Sequence, residues 1–492
     1  MINIDWKSVL SQLQYDVQNP LLFNNGFFVY FLVAFILCYY LFRKNYKHRA
    51  IVLTLFSLYF FYKASGAFVG IVILSAFFNY GISNLIFKAK KKIIKKVFLF
   101  WSIIINLGVL FYFKYTDFFI DIYNNFSQLK FDPLHILLPI GISFFTFENL
   151  SYTIDVYRGE IEPEKGIVNY LLFLSFFPKL VMGPIVRAKD FIPQLKKDYF
   201  VSDSDFSRGF YLIVTGLIKK LIISDYISVN LVNYVFDGPN LHNGFECLVA
   251  LYGYAIVIYC DFSGYSDVAI GISKWMGISI PPNFMSPYQS NSVSEFWRRW
   301  HISLSSWLRD YLYISMGGNR KGKFRTNLNL FLTMLIGGFW HGASWNFIIW
   351  GALHGIGLAI NKLWTTLFGR IKILPKFITN FIFAIITFHF VCFCWIFFKA
   401  SSLETAMQFI HQIAYQFTFD GAYEYFENYK YVITMIVIGY LIHLIPDSFP
   451  EKVIETQKRF PLIYYVIVMM GFIALYSFFK SAEPVMPIYL QF

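Results

Sequence analysis

Apolar runs of membrane-spanning length recur from one end of this chain to the other, near 27–42, 50–62, 66–87, 97–113, 134–152, 167–185, 208–224, 244–260, 327–339, 342–363, 377–398, 431–446 and 461–479. A hydrocarbon core about 30 Å thick takes about 20 apolar residues of helix to cross, and the backbone polar groups of a helix are satisfied within the segment itself. The pattern predicts an all-α polytopic membrane protein with roughly 11 to 13 transmembrane or re-entrant helices. With 57% hydrophobic and only 14% charged residues, the longest polar intervals, around 186–206 and 399–430, are too short for a soluble catalytic domain. Residues 1–492 therefore read as a single membrane domain, and any chemistry belongs inside the membrane body. The opening "MINIDWKSVLSQLQYDVQNP" has none of the features of a cleaved signal peptide and reads as an uncleaved interfacial segment.

A net charge of +13 would raise the question of nucleic acid in a soluble protein. Here the basic residues sit in short breaks between spans, as membrane topology requires, so no nucleic-acid partner is expected. "RKNYKHR" (43–49), "KAKKKIIKK" (88–96) and "RKGKFR" (320–325) read as cytoplasmic loops that also meet anionic lipid headgroups. The runs 50–62 and 66–87 form a pair that returns the chain to the same side. Cys38, Cys247, Cys260, Cys392 and Cys394 lie within apolar stretches, with neither disulfide nor zinc-ligand spacing, and read as core residues.

One segment departs from simple spanning. "NSVSEFWRRWHISLSSWLRDYLYISMGGNRKGKFR" (291–325) has aromatics at helical spacing but also carries Glu295, Arg298, Arg299, His301, Arg309 and Asp310. An Arg or Asp at the bilayer centre costs roughly 2.5–3.5 kcal/mol on insertion scales. The segment must therefore lie along the interface or line a polar cavity. Glu295 and Asp310 supply nearby ion partners for the arginines.

In "FLTMLIGGFWHGASWNFIIWGALHGIGLAI" (331–360), His341 and His354 stand among Gly, Trp and Leu. A buried neutral imidazole is well suited to taking a hydroxyl proton, and ionisable groups inside a membrane point to function. Small residues around His341 allow close approach of helices or substrate, and continuous helix would put Trp345 one turn further along its face. His354, 13 residues on, rotates away from that face at about 100° per residue. The two imidazoles therefore do not read as a metal pair, and His354 reads as packing beside Trp350. In "CDFSGYSD" (260–267), Asp261, Ser263, Ser266 and Asp267 lie in an apolar context without the elbow of a nucleophilic serine, and read as a structural polar network.

"SEFWRRWHISLSSWLRDYLYISMGGNR" followed by "GGFWHGASWNFIIWGALHG" resembles the signature of the membrane-bound O-acyltransferase (MBOAT) family, in its bacterial branch that acetylates alginate, other exopolysaccharides or peptidoglycan. The resemblance extends through "GISFFTFENLSYTIDVYRGE" (141–160), "FFPKLVMGPIVRAKDFIPQL" (176–195) and "DFSGYSDVAIGISKWMGI" (261–278). It implies a helical bundle around a central funnel, with His341 as the catalytic histidine and His301 supporting the acceptor or acyl group. It further implies acetyl-CoA as a cytoplasmic acyl donor substrate, no bound cofactor or metal, and location in the bacterial inner membrane. A periplasmic transferase, an esterase-like partner, is expected to complete acetylation of the polysaccharide. Arg298, Arg299, Arg320, Lys321 and Lys323 form a cationic cluster that can hold the donor's phosphates. The ending "MPIYLQF" (486–492) resembles the family's aromatic-Tyr-x-x-Phe tail, with Tyr489 and Phe492 matching and Pro487 in place of an aromatic residue. That resemblance makes Tyr489 a carrier of the acetyl group, while composition alone makes the tail an interfacial anchor. The basic "EKVIETQKRF" (451–460) and acidic "DGAYEYFEN" (420–428) place the tail outside. The competing classes are a transporter or flippase with a polar pathway, and a non-catalytic scaffold for a periplasmic transferase. An abundance of Phe, Ile, Lys, Tyr and Asn, as in AT-rich genomes, tilts the acceptor towards peptidoglycan.

Overall fold

The computed structural model describes residues 11–23, 25–368, 375–446, 448–480 and 485–490. Among them there are helices and no strands, as the apolar periodicity predicts. Six helices are long and apolar enough to cross a membrane: Tyr46–Lys88, Lys92–Phe126, Gly244–Trp275, Trp345–Leu367, Lys376–Lys399 and Leu462–Phe479. The bent pair Lys430–Leu444 and Ser448–Gln457 makes a seventh if counted as one span. Several other apolar runs of the sequence form shorter or broken helices. The run at 167–185, for example, becomes Ile167–Ser175 and Phe177–Leu180, with Phe173, Phe176, Phe177 and Met182 fully buried. Hydropathy does not distinguish a segment facing lipid from one enclosed by protein, so such runs look alike in sequence.

The chain divides into two compact units, residues 1–209 with 268–281 and residues 210–267 with 282–492. In the first unit, the 35-residue helix Lys92–Phe126 buries only Ser102, Asn106, Leu110 and Tyr115. Ser102, Asn106 and Leu110, at four-residue spacing, form one stripe, and its polar members are spent inside the protein. Asn106 and Asn79 pair through reciprocal amide hydrogen bonds of 2.8 and 3.1 Å. Ser102 Oγ donates to Asn79 Oδ1 and Thr153 Oγ1, both at 3.1 Å. This is the inverted logic of membrane helices: apolar surface outward and polar contacts between helices. Deeper in the same unit, Lys179 pairs with Glu148, their side chains 1% and 3% exposed. The other carboxylate oxygen of Glu148 accepts the Val186 N–H at 3.3 Å, which ties the irregular chain after Leu180 to the helix Ile142–Arg158.

The second unit contains the motifs of greatest chemical interest. Its helix Gly322–His341 runs against Trp345–Phe368 with almost no room between backbones. A methyl group on Gly338 would meet the Phe347 carbonyl oxygen and would sit 2.8 Å from the Gly351 Cα. A methyl group on Gly351 would sit 2.5 Å from the Met334 carbonyl oxygen. Small residues at the crossing are what permit this separation. The expectation that Trp345 extends the face of His341 is overturned: the helix ends at His341, Gly342 is extended, and a new helix begins at Trp345. Trp345 is 56% exposed, whereas His341 is 3% exposed.

The buried Lys179–Glu148 pair yields a test. Removing one partner of such a pair costs about 3–5 kcal/mol, whereas removing both together costs far less. Lys179→Met is expected to lower the thermal midpoint of the detergent-solubilised protein, and addition of Glu148→Gln to recover most of the loss. A double variant no more stable than the single would show that the charges are held apart from one another.

Candidate active site

Three rings from distant parts of the sequence meet in the second unit. The His341 ring lies 6.4 Å from that of His301 and 5.4 Å from that of Tyr489, between centroids. His301 and Tyr489 are 6.0 Å apart at an interplanar angle of 89°. Trp340 and Trp350, each at 5.0 Å, and Phe398 at 5.4 Å complete an aromatic wall around His341. As the last residue of its helix, His341 stands at the negative end of the helix dipole. That position favours the positive charge an imidazole gains when it takes a proton.

The segment 291–325 is neither a continuous interfacial helix nor a span. It consists of the helices Val293–Arg299 and Ile302–Trp307, followed by the π-helical turn Leu308–Tyr313. Between the first two, His301 adopts a left-handed backbone with φ of 44°, which costs a non-glycine residue about 1–3 kcal/mol. The surrounding hydrogen bonds hold it there. Asn283 Oδ1 accepts from Ser303 N at 3.2 Å and from Ser303 Oγ at 2.9 Å, and it lies 3.2 Å from His301 Nδ1. The Asn283 main-chain carbonyl takes the Ile302 N–H at 3.0 Å. An oxygen that receives a backbone N–H is an acceptor, so the proton of the neutral His301 ring is assigned to Nδ1. Its Nε2 is then a lone pair, and it has no hydrogen-bond partner among the described residues. Asn283, 1% exposed, went unrecognised in the sequence because its partners lie 18 and 20 residues away and no spacing rule links them.

Tyr489 belongs to the segment 485–490, and its ring packs against that of Phe262 at 4.4 Å with an interplanar angle of 49°. Phe492, the other matching position of the tail pattern, lies outside the described residues, as do residues 1–10 of the opening segment. His354 is fully buried; its Nδ1 lies 3.3 Å from Trp297 Nε1 and its ring 4.7 Å from that of Trp350. These contacts fit a packing role. Among the described residues no group of three or more His, Cys, Asp or Glu side chains could hold a metal ion.

The cationic residues separate. Arg298 borders a cavity of about 390 Å³, lined also by Ile302, Ser305, Leu308, Thr333 and Met334. Met334 lies two turns before His341 on the same helix face. Arg299 is engaged by Glu295 at 2.8 Å, and Arg309 by Asp310 at 2.7 Å, the partners expected from spacing. Arg320, Lys321 and Lys323 are exposed at the start of the helix that ends in His341.

An apolar helical protein with two neighbouring imidazoles and a phenol has the groups for acyl transfer to a hydroxyl. A family model described as the membrane-bound O-acyltransferase family matches residues 163–406. The chain is 38% identical over 426 residues to the probable alginate O-acetylase AlgI of Pseudomonas aeruginosa, covering 85% of this chain and 79% of the relative. It is 34% identical over 432 residues to the peptidoglycan O-acetyltransferase of Helicobacter pylori, covering 82% and 80%. A teichoic acid D-alanyltransferase of Bacillus subtilis is 32% identical over 273 residues, 53% of this chain and 68% of that one. This chain belongs to the membrane-bound O-acyltransferase family and is a multi-pass membrane O-acyltransferase.

Asn283 provides a test of the ring geometry. Asn283→Leu removes the acceptor that fixes His301 and is expected to reduce turnover about 10–100-fold, since displacing a reacting group by an ångström costs on that order. The Michaelis constant for the acyl donor is expected to change little. Wild-type turnover in this variant would show that His301 needs no such support.

Proposed function

We propose that this enzyme takes acetyl from cytoplasmic acetyl-CoA and moves it across the bacterial inner membrane for O-acetylation of an extracytoplasmic polysaccharide. The acceptor is peptidoglycan or an exopolysaccharide such as alginate, reached through an acetyl-tyrosine at Tyr489 and a periplasmic partner transferase. The observation that carries the reading is the meeting of Tyr489 with His341 and His301, at ring separations of 5.4 and 6.0 Å. Relatives named for alginate and for peptidoglycan acetylation, each matched over most of both chains, support acetyl as the group transferred.

In this mechanism His341 is the general base. It accepts the phenolic proton as Tyr489 Oη attacks the thioester carbonyl carbon; the carbon–sulfur bond then breaks, and the proton passes to the departing sulfur. His301, fixed by Asn283 with its proton on Nδ1, supports the acyl group and meets the Tyr489 ring edge-on at 6.0 Å, which leaves the single phenolic proton to His341. Splitting transfer into two exchanges lets a short carrier bridge donor and acceptor. The donor's pantetheine arm fits the cavity beside Arg298, which leads along the helix that ends at His341. Arg320, Lys321 and Lys323 hold its phosphates as charge-assisted donors, and Arg299 remains paired with Glu295.

His341→Ala is expected to slow acetyl transfer from acetyl-CoA by about 10²–10⁴-fold or more, the contribution of a positioned base, in protein that inserts and accumulates normally. Unchanged transfer would sink the assignment and return the polar pathway to transport. Tyr489→Phe keeps the ring and removes only the nucleophile. Loss of an acetylated C-terminal peptide by mass spectrometry, together with lost polymer acetylation, is expected; wild-type acetylation would make Tyr489 an anchor. Replacing Arg320, Lys321 and Lys323 together by Gln is expected to raise the Michaelis constant for acetyl-CoA more than it lowers turnover, and unaltered saturation would confine these residues to topology.

A further inference from the structure

A buried ion cluster stands beside the three rings without a part in the chemistry above. Lys220 Nζ lies 2.7 Å from Asp225 Oδ1 and 2.6 Å from Asp261 Oδ1, with all three side chains 7% exposed or less. Lys220 sits in the π-helical stretch Ile218–Ser224, and such wide turns occur often at functional sites. Two carboxylates here face one ammonium. A buried carboxylate oxygen left without a donor is costly, and Lys220 engages only one oxygen of Asp261. The other, Oδ2, accepts the backbone N–H of Ile488 at 2.9 Å. Lys220 Nζ also lies 3.5 Å from the carbonyl oxygen of Val485. One cluster thus offers an acceptor and a donor to the main chain of the same short segment, three residues apart. The residue after Asp261 continues the contact: the Phe262 ring packs against that of Tyr489 at 4.4 Å, tilted by 49°, and meets His301 edge-on at 4.6 Å.

We propose that Lys220, Asp261 and Phe262 form a docking site for a short peptide segment, here 485–490, and that they are positioning residues that deliver the Tyr489 phenol to His341 and His301. Asp261 and Lys220 recognise backbone, whatever the side chains at 485 and 488, while Phe262 selects an aromatic ring at 489. Pro487 is compatible with this seat: Pro has no N–H, and the N–H that is used belongs to Ile488. The consequence for rate rests on the reading of Tyr489 as the acetyl carrier. Docking itself does not.

The test uses the full-length enzyme in native membranes, with Cys38→Ser as background and Leu490→Cys as a reporter labelled by a membrane-impermeant maleimide. Asp261→Leu removes the acceptor while leaving Lys220 its partner Asp225. Ile488→Pro removes the donor, together with the buried Ile488 side chain, at the first residue of the short turn Ile488–Leu490, where a missing N–H is tolerated, and it serves where Asp261→Leu fails to accumulate. Each is expected to raise the labelling rate about tenfold or more, the factor carried by a lost hydrogen bond to a charged group. Asp267→Asn, which alters the neighbouring ion pair with Lys219, is expected to leave labelling at the parent rate. With Leu490 restored, Asp261→Leu and Ile488→Pro are expected to lower turnover without raising the Michaelis constant for acetyl-CoA. Parent-level labelling in both Asp261→Leu and Ile488→Pro overturns the docking site. Raised labelling with unchanged turnover upholds the docking site and overturns Tyr489 as carrier.

Discussion

The second unit depends on the contact between Gly338 and Gly351. Where two helices touch backbone to backbone, the side chains beyond the crossing are pushed into fixed places. One turn past Gly338 the helix ends and His341 is set against Trp350. Trp350 in turn packs on Trp395 at 5.9 Å and Phe398 at 5.2 Å, so the imidazole is held by rings that are themselves fixed. A larger residue at either glycine would spread the helices and displace this stack. Tight packing between helices is the main source of attraction available within a bilayer, where lipid is as apolar as leucine. The same contact that stabilises the fold therefore places the histidine.

The aromatic wall has a chemical effect as well as a structural one. Rings exclude water from the space between His341, His301 and Tyr489, and the electrostatic influence of each remaining polar group grows in so poorly screened a place. Exclusion of water also protects a reactive acyl group from hydrolysis. The price is that every buried polar atom needs a defined partner, and Asn283 shows how this is met: one amide carbonyl serves a backbone N–H, a serine hydroxyl and an imidazole N–H. The left-handed backbone of His301 persists because the two residues that follow it, Ile302 and Ser303, are held to Asn283.

What could be read from sequence was what local chemistry determines. Hydropathy gave the membrane class and most helices, and short spacing gave the Arg299–Glu295 and Arg309–Asp310 pairs. A histidine among glycine and tryptophan in an apolar run marked His341 as chemically unusual. The end of the helix at His341 was not legible, because Gly-Ala-Ser is as acceptable inside a tightly packed helix as at its terminus. Nor were the Asn283 hub and the Lys220–Asp261 pair, whose members lie 41 residues apart in the latter case. Those contacts exist only once the helices have packed, and they require an unpaired polar atom to find its complement across the fold. Which of the apolar segments are full spans was not legible for a related reason: apolar composition records removal from water, whether the replacement is lipid or protein.

The helix Lys92–Phe126 carries a consequence of its length. Its 35 residues extend about 52 Å at 1.5 Å per residue, against a hydrocarbon core of about 30 Å. Its one protein-facing stripe is anchored by Asn79 and Thr153, so the excess must be taken up by tilt or by projection into the headgroup region and beyond. Its two ends therefore differ in their sensitivity to bilayer thickness: the anchored half keeps its depth, and the half bearing Asp117 and Asp121 rides higher or lower as the lipids thicken or thin. A change in bilayer thickness is met at this helix by its tilt or by the depth of its projecting end.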